Sequence, residues 1–174
     1  MHFYIHIPLP EELKNKIEAF RLRYNWPAKS EPHITLVPPL KLLDGHTGLE
    51  MVRAVELVAK KTNPFRITQK GAGYFGYKEI INIGVERTND ILLLHRDLLE
   101  VISGILEPSQ GEFADLPNPH ITVVSLPSDK GGELWEEIKN EDFSGEFLCD
   151  KITLLRRGDD EKKWAVVQNF VFGV

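Results

Sequence analysis

The chain has little cysteine and no long apolar run, and both features restrict what it can be. Cys149 is the single cysteine among 174 residues, which excludes an internal disulfide and a zinc site built from several cysteines. Residues 1–10 are only mildly apolar, and no apolar run of about 18 residues follows, so we expect neither a signal peptide nor a membrane span. These features predict a cytoplasmic protein.

The chain also lacks an excess of positive charge. Lysine and arginine total 21 against 26 for aspartate and glutamate, and the formal net charge is −5 at pH 7. Binding along a nucleic-acid backbone needs many cations that neutralise phosphates. We therefore expect no extended nucleic-acid binding, although a small nucleotide or one end of an RNA stays a reasonable ligand. With 42% apolar and 27% charged residues, the composition is typical of one globular domain.

One tetrapeptide occurs twice in the chain. Residues 32–35 and 119–122 both read Pro-His-Ile-Thr, and aliphatic residues follow each copy. Ile, Thr, Leu and Val favour strands, and proline is common at a strand entrance, so each copy predicts a short strand. Because side chains alternate along a strand, the histidine and threonine of each copy face the same way, while the isoleucine between them faces the other way. The two pairs are His33 with Thr35 and His120 with Thr122.

Hydrophobic periodicity predicts strands and helices in a repeated order. Residues 2–7 alternate, which predicts a strand with apolar side chains on one face and His2, Tyr4 and His6 on the other. Helices are predicted at about 11–24, 49–61, 89–107 and shortly after 131, and hairpins at about 65–85, with a glycine-rich connection over 71–77, and at 147–172, with a turn near 158–160. The recurring order of strand, helix and motif strand predicts a single domain over 1–174, built from two pseudo-repeats, about 1–78 and 79–174.

The paired motifs carry a resemblance to a known family. The chain resembles the 2H phosphoesterase superfamily, named for two His-x-Thr/Ser motifs, and most closely the bacterial 2′-5′ RNA ligase-like (LigT-like and YjcG-like) proteins. Further support comes from Leu-Pro-Glu-Glu at 9–12, Gly-Ala-Gly-Tyr-Phe at 71–75 and the strands at 80–85 and 152–156. Asn82 departs from the family, since many relatives carry an aromatic residue there. The resemblance implies an α+β fold of two pseudo-symmetric lobes, with antiparallel sheets lining a central cleft and helices outside.

The resemblance also implies phosphoester hydrolysis with no metal and no other cofactor. Its substrate would be a nucleotide or an RNA end with a 2′,3′-cyclic phosphate, or a 2′-5′ linkage. Paired histidines suit this reaction, because water must lose a proton on one side of phosphorus while the departing ribose oxygen gains one on the other, and imidazole does both near neutral pH. His33 and His120 are therefore the candidate acid and base, in either order. Thr35 and Thr122 are the candidate ligands of the phosphate oxygens.

Four further residues are weaker candidates for contacts with substrate. Tyr4 and His6 are predicted on the same side as the motif histidines, Phe75 could stack on a base, and Arg156 could contact phosphate. Each also has an ordinary structural interpretation. The first two would line a wet sheet face, Phe75 would pack in a small aromatic cluster, and Arg156 would be a solvated charge.

Two other interpretations of the whole chain stay open. The same cleft could hold a nucleotide without turnover, as happens in this superfamily, although the presence of both histidines and both threonines favours an enzyme. In the second, the repeated tetrapeptide is structural in a plain interaction domain, and neither histidine affects phosphoester turnover. A metal site on His33 and His120 is disfavoured, because neither motif carries a carboxylate or a third ligand.

Overall fold

The computed structural model describes residues 1–26, 30–108, 115–116, 118–126 and 131–174. These residues form eight β-strands and four α-helices. The strands are β1 (His2–Pro8), β2 (His33–Lys41), β3 (Phe65–Phe75), β4 (Ile80–Val85), β5 (His120–Ser125), β6 (Ser144–Cys149), β7 (Lys151–Arg157) and β8 (Ala165–Val171). The helices are α1 (Glu11–Arg23), α2 (Gly48–Lys61), α3 (Asn89–Ile102) and α4 (Gly131–Ile138).

Side-chain caps mark the starts of α2 and α3, and acidic residues mark the start of α1. The backbone N–H of Thr47 donates to the Glu50 carboxylate at 2.7 Å, and the Glu50 N–H donates back to the Thr47 hydroxyl, so α2 starts in a capping box. Thr88 caps α3 by accepting a hydrogen bond from the N–H of Ile91. Two glutamates occupy the first turn of α1, where they suit the positive end of the helix. The predicted starts of these helices are confirmed.

All eight strands belong to one antiparallel sheet in the order β6-β3-β4-β5-β2-β1-β7-β8. Strands β2, β1, β7 and β8 form one side, which we call the His33 half-sheet, and strands β5, β4, β3 and β6 form the His120 half-sheet. The helices lie on one face, where α1 contacts β5, α2 contacts β7 and β8, α3 contacts β2, and α4 contacts β3 and β4. The expected α+β fold, with antiparallel strands and outer helices, is confirmed.

The half-sheets do not divide at the middle of the chain. Strand β3 comes before β4 and β5 but pairs with β4 and β6, while β7 returns from the end of the chain to pair with β1. Each half-sheet therefore contains strands from both parts of the sequence. The division into two pseudo-repeats near residue 78 stays a prediction about the chain and not about the sheet.

The two half-sheets meet at a central seam between β2 and β5, where Ile34 and Ile121 form a single register pair. Both isoleucines are completely buried on the helix-covered face, as the alternation in the sequence predicts. The other strand pairs of the sheet share five or more register positions each. Beyond the isoleucine pair, the backbone groups of β2 and β5 therefore need other hydrogen-bond partners.

Two helices supply those partners across the seam. Arg21 of α1 is 6% exposed and donates from Nε to the Val123 carbonyl at 2.7 Å and from Nη2 to the Thr122 carbonyl at 3.2 Å. His95 of α3 is 3% exposed and donates from Nδ1 to the Leu36 carbonyl at 2.9 Å. Leu36 and Val123 each follow the threonine of a motif, so the two contacts are equivalent. Helix α1 follows β1 of the His33 half-sheet and binds β5 of the His120 half-sheet. Helix α3 follows β4 of the His120 half-sheet and binds β2 of the His33 half-sheet.

The glycine-rich stretch differs from its predicted role as a loop. Strand β3 continues through Phe75, and only Gly76–Lys78 form a short 3₁₀ turn before β4. The pairing with β4 shifts register between Gln69 and Gly71, and Gly71 has φ +95°. Such a bulge needs the left-handed conformation that glycine adopts without strain. Glycine in this stretch therefore marks a bulged strand.

Two other predicted boundaries were wrong. Helix α3 ends at Ile102 and not near 107, because Gly104 adopts φ +81° directly after the terminal Ser103. The predicted final hairpin is confirmed as the β7–β8 pair, but its first arm begins at Lys151 and not at 147, because residues 147–149 belong to β6, which pairs with β3. No helix within the described ranges is long and apolar enough to span a membrane.

The contacts of Arg21 predict a measurable contribution to stability. In Arg21→Met, the carbonyls of Thr122 and Val123 lose a buried donor, and Glu18 loses its ion-pair partner at 2.6 Å. We expect the free energy of unfolding in urea to fall by about 2–4 kcal/mol. The matched control is Arg23→Met on the same helix, where an exposed arginine pairs with Glu141 and the loss should stay below about 1 kcal/mol. Equal losses in the two variants would contradict a special role for Arg21.

Candidate functional site

The two motif pairs lie on the sheet face opposite the helices. His33 opens β2 and His120 opens β5, and each histidine and its threonine are half-buried around a fully buried isoleucine. Since Ile34 pairs with Ile121 in antiparallel direction, His33 comes towards Thr122 and Thr35 towards His120. The seam therefore brings two imidazoles and two hydroxyls to one place. This is the arrangement that the sequence predicts.

Both motif histidines are held in the same tautomer by the backbone. The Nδ1 atom of His33 lies 2.8 Å from the Glu31 carbonyl, and the Nδ1 atom of His120 lies 2.9 Å from the Asn118 carbonyl. A carbonyl oxygen only accepts, so Nδ1 carries the proton in each ring. The Nε2 atom of each ring is then available to accept a proton when the ring is neutral or to donate one when it is charged. Two rings prepared in this way can act as a base and an acid.

Aromatic rings surround His33. The His6 ring stacks on it at 4.7 Å between centroids and 26° between planes, and Tyr4 lies 5.7 Å away. The Tyr4 hydroxyl is 3.2 Å from Nδ1 of His6, in hydrogen-bond contact. Trp164 meets Tyr4 edge to face at 4.6 Å, and the Arg157 guanidinium lies over Trp164 at 4.7 Å. The predicted Tyr4 and His6 are therefore beside His33.

Burial sets the protonation of this cluster. It lowers the pKa of His6 to about 3, with a further contribution from His33, and it raises the pKa of Tyr4 to about 12. Burial is also the main cause that lowers the pKa of His33, and the nearby His120 and Arg21 act in the same direction against the raising effect of the Glu31 carbonyl. His33 and His6 are accordingly neutral at neutral pH, and the Tyr4 hydroxyl keeps its proton.

His120 has a different neighbourhood. The Phe75 ring meets it edge to face at 4.9 Å and 88°, which places the predicted Phe75 at the site. A cavity of about 180 Å³ lies beside His120. Asn82, Arg87 and Lys70 line it together with Gly71, Gly73 and Gly84. The two histidines thus share their backbone contact but not their surroundings.

The structure does not bring Arg156 to the other candidates. Register partners share a face of the sheet, and Arg156 pairs with the buried Phe3, whereas Arg157 pairs with His2. Arg157, and not Arg156, therefore lies on the face of the motifs. Sequence reasoning weighed both arginines and favoured Arg156, and it missed Trp164. The alternation of β1, extended to its neighbour β7, could have favoured Arg157 instead. Trp164 precedes β8 outside any regular strand, and nothing in the sequence signals its position.

Two other histidines, His95 and His46, lie outside the site. His95 is the buried seam contact of α3, and His46 precedes α2, 3.4 Å from Glu50. In the described part of the chain, no three His, Cys, Asp or Glu side chains come together as ligands of a metal ion would. The site is built from imidazole, hydroxyl and aromatic groups.

Comparison with known proteins agrees with this fold. The sequence model of the 2′-5′ RNA ligase superfamily matches residues 9–161. A Staphylococcus aureus (strain Newman) protein, provisionally named a phosphoesterase, is 26% identical over an alignment of 171 residues that covers 92% of this chain and 92% of that protein.

Solved structures show the same architecture. The crystal structure of TT0787 of Thermus thermophilus superposes with a TM-score of 0.70 at 17% identity, covering 99% of this chain and 98% of that one. E. coli LigT in complex with 3′-AMP gives a TM-score of 0.66 at 18% identity, covering 98% and 97%. The resemblance that the motifs carry is thereby confirmed. Because the superfamily model spans most of the chain, this protein belongs to the 2′-5′ RNA ligase superfamily.

Proposed function

We propose that this protein is a phosphoesterase that hydrolyses a 2′,3′-cyclic phosphate, on a nucleotide or at an RNA end, or a 2′-5′ phosphodiester, without a metal ion. The observation that carries the proposal is the matched pair of imidazoles, each with Nδ1 bound to the carbonyl two residues before it. A binding module would need no such pair of proton donors and acceptors. The phosphoesterase name of the Staphylococcus aureus relative supports the same reaction class.

The reaction needs two proton transfers on opposite sides of phosphorus. A neutral imidazole takes a proton from water through Nε2 as the water oxygen bonds to phosphorus. The bond from phosphorus to one ribose oxygen breaks, and that oxygen takes a proton from the second imidazole, which is charged. The product is a 2′- or a 3′-phosphate, and the two imidazoles exchange protons with solvent before the next turnover. Each of these groups typically contributes roughly 10²–10⁴ in rate.

The structure favours one assignment of the two roles. Burial, with smaller contributions from His120 and Arg21, lowers the pKa of His33, so this ring is neutral at neutral pH and suits the base. His120 then delivers the proton to the leaving oxygen. Thr35 and Thr122 donate hydrogen bonds to the non-bridging oxygens, where negative charge concentrates in the transition state.

The proposed ligand is short. The net charge of −5 disfavours a long nucleic-acid track, while a single nucleotide or an RNA end fits between the two half-sheets. LigT of E. coli has been crystallised with 3′-AMP, with ATP and with NADP+, and we extend nucleotide binding to this chain. We also propose a cytoplasmic location, because a single free cysteine, Cys149, suits a reducing compartment.

Substitution of the motif residues tests the mechanism. His33→Asn and His120→Asn keep a donor near the Nδ1 position but remove Nε2, so each should lower kcat on nucleoside 2′,3′-cyclic monophosphates by at least about 10². Thr35→Val and Thr122→Val should cost less, roughly 10- to 100-fold, because each removes one hydrogen bond to the phosphate. Product formation would be measured in chelator, with thermal unfolding as the check on folding.

His46→Asn serves as the matched control, since this histidine lies in the loop before α2, outside the site, and its variant should retain full turnover. Full activity in either motif-histidine variant would refute the two-imidazole mechanism. Activity that appears only after a divalent metal is added would refute the metal-independent reaction. If nucleotides bind but none is hydrolysed, the cleft is a binding module.

The assignment of His33 as base predicts the pH dependence. A base is active when neutral, so kcat/KM should fall as pH drops through the pKa of His33, with a midpoint below the ordinary histidine value of 6.5. Arg21→Met removes a cation that disfavours the charged ring and should move this acid limb to higher pH, while Arg23→Met should leave it in place. An acid-limb midpoint above 6.5 in the unmodified protein would refute His33 as the base.

A further inference from the structure

Asn82 is a buried polar residue whose Nδ2 atom has no hydrogen-bond partner in the part of the chain that the structure describes. It is 2% exposed, lies between the fully buried Ile81 and Ile83 on β4, and lines the cavity beside His120. Among the described residues, none accepts a hydrogen bond from its Nδ2 atom. A buried donor without an acceptor destabilises a fold. An acceptor supplied by a ligand would explain why an amide stands at this position.

The equivalent position in the other half-sheet shows what shape of group fits. In register, His6 pairs with Thr35 and Asn82 pairs with Thr122, so the two residues occupy matching places beside the two motifs. Beside His33, a flat heterocycle of the protein itself fills this place, because the His6 ring stacks there. Beside His120, the shorter Asn82 leaves the cavity of about 180 Å³. A flat ring from a ligand can take the corresponding place.

Glycines keep this cavity open. A Cβ atom at Gly73 would come 2.7 Å from Oδ1 of Asn82, so any larger residue would displace the amide. The cavity also has cations at its edge: Lys70 forms no ion pair within the described ranges, and Arg87 donates to the carbonyls of Asp115 and Leu116. The cavity is thus lined by the Asn82 amide, the Phe75 ring and two cationic side chains. These groups suit the base of an anionic nucleotide.

We propose that the cavity floored by Asn82 is the nucleobase subsite of this protein, and that the Asn82 amide donates a hydrogen bond to an acceptor on the edge of the base. The assignment rests on the proposed function, because a phosphate held between His33 and His120 places the rest of the nucleotide beside one of the two rings. The His33 side is filled by His6, and the His120 side carries the cavity. Asn82 therefore determines how strongly the base contributes to binding.

The experiment compares substrates with and without a base. Turnover would be measured on the 2′,3′-cyclic monophosphates of uridine, cytidine, adenosine and guanosine and on a base-free ribose 2,3-cyclic phosphate. In Asn82→Leu, an apolar side chain of similar size, the ratio of kcat/KM with a base to kcat/KM without one should fall about tenfold for the preferred base, mainly through KM. The melting temperature should not fall, because no described residue accepts a hydrogen bond from Nδ2 of Asn82.

Two further variants sharpen the result. Gly73→Ala presses on Oδ1 of Asn82 and should lower the same ratio without changing Asn82 itself. Gln69→Leu is the matched control, since it removes a buried amide from the neighbouring β3, outside the lining of the cavity, and should leave the ratio unchanged. An unchanged ratio in Asn82→Leu would overturn the subsite. So would an unmodified protein that hydrolyses the base-free compound as efficiently as the four nucleotides.

Failure of the proposed function would be seen separately. If the unmodified protein hydrolyses none of these compounds, the phosphoesterase reaction on cyclic phosphates is wrong, and binding then tests the subsite. Dissociation constants of 3′-UMP, 3′-CMP, 3′-AMP and 3′-GMP would be compared with that of ribose 3-phosphate by calorimetry. An approximately tenfold weakening of the tightest nucleotide in Asn82→Leu, with ribose 3-phosphate as reference, supports the subsite. Equal binding by the two proteins overturns it.

Discussion

The central seam is the constraint on which the rest of the structure depends. Ile34 and Ile121 form the single register pair between β2 and β5, so the two half-sheets share little of the hydrogen bonding that joins their other strands. Arg21 and His95 reach across from opposite helices and bind the carbonyls that the seam leaves without strand partners. Backbone groups at a buried seam must be satisfied in some way. Here side chains on the helix face satisfy them, and the opposite face is left to the motif pairs.

The two motif histidines have the same backbone contact but different surroundings. Both motif histidines have the same backbone contact at Nδ1, which fixes the same tautomer in each ring. Around His33, the protein packs its own rings and lowers the pKa of the imidazole by burial. Around His120, it leaves a cavity lined by Asn82, whose Nδ2 atom has no acceptor among the described residues. The proposed hydrolysis needs one neutral and one charged ring, and the proposed nucleotide ligand has one base. The different surroundings of the two histidines fit both proposals.

This asymmetry has a cost in stability that the core offsets. Asn82 and His6 are polar residues buried in strands whose neighbours are isoleucines, and a core built for stability alone would carry apolar residues there. The isoleucines on the other face of β1, β2, β4 and β5 are almost entirely removed from water, which stabilises the same strands through burial of apolar surface. The face that carries the motifs can therefore tolerate buried polar groups.

The sequence by itself determined the elements that depend on neighbouring residues. Alternation placed the motif residues on one face, periodicity and caps placed the starts of the helices, and the paired tetrapeptides indicated the family. What only the tertiary structure decided depends on residues far apart in the chain. The bulged continuation of β3, the separation of β6 from β7, the presence of Arg157 and Trp164 near Tyr4, and the contacts of Arg21 and His95 across the seam are all of this kind. Strand partners and register are set by packing between distant segments, and a local pattern carries no information about which distant segment that will be.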